Sequence, residues 1–109
     1  MHLERDYKKV LKNGKKIVTD FVNIFVLNRK DNNEIRRLGL ITSKKVGNAT
    51  ERNRAKRRLR EIFRTNKHKL TPGLDIIFIL KPEIKLTGYG KIKETVLDCL
   101  KSAKFYNDI

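Results

Sequence analysis

The sequence predicts an α+β fold: a small two-layer α/β sandwich in the order α-β-β-β-α-β-α. Its helices pack on a mixed four-stranded sheet that contains one β-α-β crossover. Three observations carry this expectation. Apolar residues recur at helical spacing in three separate stretches, runs rich in β-branched and aromatic residues alternate with them, and turn residues separate the two kinds of segment.

The first helix is marked by Leu3, Tyr7, Val10 and Leu11, at positions i, i+4, i+7 and i+8, and Asn13-Gly14 stops it. Lys15–Leu27 follows as strand. Val22, Ile24 and Val26 give it an aliphatic core face, while Phe21, Asn23, Phe25 and Leu27 give it a second, half-exposed face. Lys15–Thr19 is either a strand of its own or the same strand before a bend. Asp31-Asn32-Asn33 is a turn, and Leu38–Ser43 is the next strand. Lys44–Asn48 forms a loop around Gly47. Asn48, with Glu51 three residues on, resembles a capping box that starts a helix running to about Asn66. Pro72-Gly73 turns the chain into Leu74–Leu80, apolar on both faces as in an inner or parallel strand, and Pro82 ends it. A last helix from about Tyr89 to Phe105 carries Ile92, Val96, Cys99, Leu100 and Ala103 on one face.

A chain of 109 residues, 39% of them hydrophobic, is expected to form a single domain over 1–109 with a modest core. Cys99 has no second cysteine to pair with, and His2 and His68 are far apart in sequence, so neither a disulfide nor a metal-ligand spacing is legible. The longest apolar run, Ile76–Leu80, is too short to span a membrane. Met1–Val10 has no apolar segment of the secretory kind, so a cytoplasmic location is expected. The Asp and Glu residues form no suggestive pair and no His sits in an acid–base constellation, so no protein catalytic site is expected.

The net charge is +15, and its placement is uneven. Between Lys44 and Lys69, eleven Lys and Arg face only Glu51 and Glu61, which puts +9 of the charge into 26 residues. Its densest part is Arg52–Arg60, R-N-R-A-K-R-R-L-R, where six of nine positions are basic. On a helix, Ala55, Leu59, Ile62 and Phe63 share one arc, and Asn53, Lys56, Arg57, Arg60 and Arg64 share another. The segment is therefore anchored to a core on one side and offers guanidinium forks on the other. Those forks match phosphate oxygens two at a time, so the expected partner is nucleic acid.

The run S-K-K-V-G-N-A-T-E-R-N-R-A-K-R-R-L-R, Ser43–Arg60, resembles the signature of the protein component of bacterial ribonuclease P, with Arg52-Asn53-Arg54 as its RNR motif. Asp6-Tyr7-Lys8-Lys9-Val10 with Gly14 resembles that family's first helix, Leu38-Gly39-Leu40 its strand before the signature, and Asp75-Ile76-Ile77 to Lys81-Pro82 its last strand. The resemblance implies a fold like the second domain of the fifth small-subunit ribosomal protein, with a left-handed β-α-β crossover against the usual hand. It also implies a function. The family's enzyme removes the 5′ leader of precursor tRNA by hydrolysing one phosphodiester bond. A large RNA is the catalyst and positions Mg²⁺, while the protein binds no cofactor itself and sits as a monomer in a one-to-one complex with that RNA.

By the same resemblance, Lys44, Lys45, Arg52, Asn53, Arg54, Lys56, Arg57 and Arg60 contact the catalytic RNA. Tyr7, Leu11 and Phe25 line a leader cleft on the sheet face beside the first helix, apart from the basic stripe. Stacking on aromatic faces is sequence-tolerant, as a leader binder needs. Read from the residues alone, Tyr7 and Phe25 are either stacking platforms or core, and Asn53 bonds either RNA or backbone. Leu11 stands where the family often has an aromatic, and Arg58 reads as solvent-facing. The family's basic segment before the first helix is reduced here to Met1-His2-Leu3-Glu4-Arg5. Two other classes share the charge pattern: a ribosomal or other structural RNA-binding protein, and a DNA-binding domain with its helix in a major groove. The Ser43–Arg60 run argues against the first and the β-α-β setting against the second.

Overall fold

The computed structural model describes residues 4–31 and 34–107; Leu3, His2 and the Asn32-Asn33 part of the expected turn lie outside them. Among the described residues the order is α1 (Glu4–Asn13), β1 (Lys15–Val18), β2 (Val22–Asn28), β3 (Arg37–Ile41), α2 (Ala49–Asn66), β4 (Leu74–Leu80) and α3 (Tyr89–Ser102), with short 3₁₀ turns at Lys44–Val46, Lys67–Lys69 and Pro82–Leu86. Lys15–Val18 is thus a strand of its own. The expected loop before α2 holds a 3₁₀ turn because Val46 is buried there.

The sheet order is β1-β2-β4-β3. β1 pairs antiparallel with β2, and β2 with β4, whereas β3 runs parallel to β4 through the α2 crossover. β4 is therefore an inner strand, and its L-D-I-I-F-I-L sequence is buried at every position but Ile79, as a strand covered on both faces requires.

Strand alternation assigns the faces. Ile24, Val26, Ile76 and Phe78 share one face with Ile17, Leu38 and Leu40, and meet Ala55, Leu59 and Ile62 of α2 and Ile92, Val96 and Leu100 of α3 in one apolar cluster. Phe21, expected on the half-exposed face, precedes β2 and turns into this core, 4% exposed. The opposite face is covered only in part. α1 packs there, with Val10 fully buried and Tyr7 against Gly39. A Cβ at Gly39 would lie 2.9 Å from the Tyr7 ring, so this strand position must be glycine for the ring to sit where it does.

A buried polar cluster ties the two halves. Asp75, the second residue of the otherwise apolar β4, is 2% exposed. Its carboxylate accepts from Arg37 Nε at 2.7 Å and Nη2 at 2.6 Å, and from Arg29 Nη1. Arg37 also reaches Asp6 of α1 at 3.4 Å. Burial alone pushes the Asp75 carboxyl up; the Arg37 and Arg29 hydrogen bonds outweigh it and hold the group below its ordinary value. Hydrogen bonding to Asp75 raises Arg37 in turn.

Candidate nucleic-acid interface

The start of α2 is fixed by its own sequence. Asn48 Oδ1 accepts from the Glu51 backbone N–H at 2.9 Å, and Glu51 Oε1 accepts from the Asn48 N–H at 3.0 Å, a complete capping box. Gly47, at φ 150°, lets the chain enter: a Cβ there would meet the Glu51 carboxylate at 2.6 Å. From this start the apolar positions turn inward. Ala55, Leu59 and Ile62 are buried, at 6%, 0% and 1% exposure, and burying a Leu or Ile side chain contributes about 1.5–3 kcal/mol each. Phe63, expected in the core, is only partly buried and its ring reaches a surface groove.

The basic positions turn outward. Asn53, Arg54, Arg57 and Arg60 are exposed, Arg52, Lys56 and Arg58 are half-buried, and Lys44 and Lys45 are exposed in the 3₁₀ turn just ahead of the helix. Among the described residues, Arg52, Arg54, Lys56, Arg57, Arg58 and Arg60 make no ion pair. The two carboxylates on the helix are engaged elsewhere: Glu61 with Arg64 at 2.6 Å, and Glu51 with the cap and with Lys85 at 3.7 Å. Arg64 is thereby neutralised, but the rest of the stripe, from Arg52 to Arg60, is an uncompensated positive field that attracts anions. The Asn53 side chain makes no hydrogen bond among the described residues. Backbone capping falls to Asn48 instead, which leaves Asn53 free to face a partner.

A cleft of about 550 Å³ runs along the stripe, lined by Lys56, Arg57, Arg60, Phe63, Leu38, Leu40 and Tyr7. The sequence reading separated Tyr7 from the stripe; the fold joins them. β3 is an edge strand, α1 crosses the outer face with Tyr7 over Gly39, and so the ring stands at the rim where the outer face meets the α2 side. Phe25 does not share that cleft. It lies half-buried on the outer face of β2, opposite Ile77, with Lys16 Nζ 5.8 Å from its ring centroid. β4 separates the β2 and β3 positions beneath the two rings, which sets them about 10 Å apart across the sheet. Leu11, one turn beyond Tyr7, is half-buried. Asn23, Ile41 and Ile79 are half-buried on the same outer face. Neither Tyr7 nor Phe25 belongs to the apolar core.

The Asp75–Arg37–Asp6 link that holds α1 was missed in the sequence, where a carboxylate within an apolar strand was its one visible signal. Arg58 was read as solvent-facing, yet it is half-buried in a second groove with Arg54, Arg57, Glu61 and Tyr89.

Residues 1–104 match the family Ribonuclease P. The chain belongs to the ribonuclease P protein family. It is 36% identical over 107 residues to the ribonuclease P protein component of Streptococcus pneumoniae serotype 4, covering 96% of this chain and 84% of the relative. It is also 36% identical over 105 residues to that of Thermotoga maritima, covering 93% and 88%. The fold matches the solved RNase P protein of Staphylococcus aureus with a TM-score of 0.86 at 31% identity, covering 98% and 96% of the two chains. It matches that of Thermotoga maritima with a TM-score of 0.81 at 30% identity, covering 94% of each. As a ribonuclease P protein, the chain is a subunit of an endoribonuclease of tRNA processing and a partner of ribonuclease P RNA. No helix among the described residues is long and apolar enough to cross a membrane.

Proposed function

We propose that this ribonuclease P subunit docks on the catalytic RNA through Lys44, Lys45, Arg52, Asn53, Arg54, Lys56, Arg57 and Arg60. In the same complex it holds the 5′ leader of precursor tRNA against Tyr7, Leu11 and Phe25. The RNA carries the hydrolysis with its Mg²⁺ ions, and one protein joins one RNA. The observation that carries this reading is the row of unpaired guanidinium groups sharing a cleft with the Tyr7 ring.

The division of labour follows from the side chains. The stripe supplies positive charge along a rigid helix, and each phosphate it neutralises releases counterions from the RNA. Tyr7 and Phe25 supply ring faces about one strand-pair apart for unpaired bases. Holding the leader beside the ribozyme lowers the entropic cost of bringing the scissile phosphate to the RNA-bound metal. The chain's contribution is therefore affinity and position, and it places no acid, base or nucleophile at the bond. Cleavage of precursor tRNA by the catalytic RNA, with and without this chain over a Mg²⁺ titration, tests the reading. The chain is expected to lower the Mg²⁺ requirement and to be inactive alone.

A further inference from the structure

The α2 helix has two flanks, and the cleft shared with Tyr7 occupies only one. On the other, Arg54, Arg57, Arg58, Glu61 and Tyr89 line a second open groove of about 450 Å³ between α2 and the start of α3. Arg57 stands on the ridge and lines both clefts. The single carboxylate of the second groove, Glu61, accepts from Arg64 Nε at 3.1 Å and Nη2 at 2.6 Å, so it does not offset Arg54 or Arg58. Neither of those arginines has an ion-pair partner among the described residues.

Tyr89 is the first residue of α3, and its ring makes no hydrogen bond among the described residues. It stands between Gly88 and Gly90, and a Cβ added at either would meet nothing within 4 Å. Tyr89 itself is 36% exposed, so part of its side chain faces the groove. A partly exposed aromatic ring beside guanidinium forks four residues apart on one helix face (Cβ atoms about 5–6 Å apart) matches a single nucleic-acid strand. Such a strand offers a base to the ring and successive phosphates to the forks. A run of acidic residues would use the arginines and leave the ring unmatched.

We infer that the Arg54–Arg58–Tyr89 groove is a second RNA contact, which takes an unpaired nucleotide with its base stacked on Tyr89 and its flanking phosphates on Arg54 and Arg58. This rests on the proposed role of α2 as the RNA-docking helix. The nucleotide belongs either to the catalytic RNA or to precursor tRNA. Binding of Tyr89→Ala, Tyr89→Phe and the Arg54→Ala/Arg58→Ala double variant to the catalytic RNA alone, and of precursor tRNA to the reconstituted complexes, separates the two. Tyr89→Ala weakens one of these equilibria about tenfold, as loss of one base stack does, while Tyr89→Phe stays within about twofold of the parent. The double variant flattens the salt dependence by about one to two units in log–log slope. Loss on the catalytic RNA alone assigns the nucleotide to the ribozyme, and loss only with precursor tRNA assigns it to the substrate; either supports the site. Tyr89→Ala equal to the parent in both, whether or not a polyglutamate peptide binds the groove, overturns it. A Lys56→Ala/Arg60→Ala variant run alongside touches only the main stripe, so failure of this site and failure of the docking reading are distinguishable. Tyr89 is outside the core, so thermal unfolding of its variants stays at the parent value.

Discussion

Asp75, Arg37, Gly39 and Tyr7 form a short chain of cause. The carboxylate in β4 fixes the Arg37 fork, Arg37 reaches Asp6, and the α1 turn so held sets Tyr7 over Gly39. Removing the carboxylate leaves Arg37 and Arg29 without their buried partner. Asp75→Ala is therefore expected to cost about 3 kcal/mol or more, read from urea unfolding. The acid dependence follows from the direction of the shift. The native Asp75 pKa lies below its unfolded value, so its stabilisation is complete above the unfolded carboxylate range, near about 3.9, and is lost as pH falls through the native pKa. The unfolding midpoint of the parent should thus fall more steeply below about pH 4 than that of Asp75→Asn. Gly39→Ala acts on the same assembly from the other side. Its methyl group would meet the Tyr7 ring at 2.9 Å and displace it, so binding of leader-bearing precursor should weaken while the affinity for the catalytic RNA holds. Tyr7→Ala should likewise weaken precursor tRNA more than mature tRNA. Equal loss on both would give Tyr7 a packing role instead.

At the scale of the element, α2 was the most legible part of the sequence. Its two faces follow from 3.6-residue periodicity, and its start from the Asn48/Glu51 pair, both of which are local signals. β4 was legible for a similar reason, because a strand covered on both faces needs no alternation. Asp75 gives no local signal within it, because its partners, Arg29 and Arg37, lie 46 and 38 residues away in the chain. The helix's charge has a direct test. Replacing Arg57 and Arg60 by Ala should flatten the slope of log affinity against log salt by about one to two units. An unchanged slope would remove both from the phosphate contacts.

At the scale of the molecule, what the sequence left open was which elements share a face. Sheet order β1-β2-β4-β3 is set by pairings between distant segments and leaves β3 at the edge, while contacts from Tyr7 to Gly39 and from Asp6 to Arg37 put α1 on the face opposite α2 and α3. That placement brings Tyr7 into the cleft of Arg57 and Arg60, sets Phe25 two strands away, and puts Arg58 and Tyr89 on one groove. Local pattern could name Tyr7 and Phe25 as candidates, but their relation to the basic stripe is a property of the assembled sheet. The central claim is that the chain acts as the affinity-giving subunit of an RNA catalyst. The most direct test measures precursor tRNA cleavage by the catalytic RNA at limiting Mg²⁺, with the parent chain, with the Arg57→Ala/Arg60→Ala variant, and with no protein. The account predicts faster cleavage with the parent than with no protein, and little gain with the variant. Equal rates with and without the parent chain would contradict it.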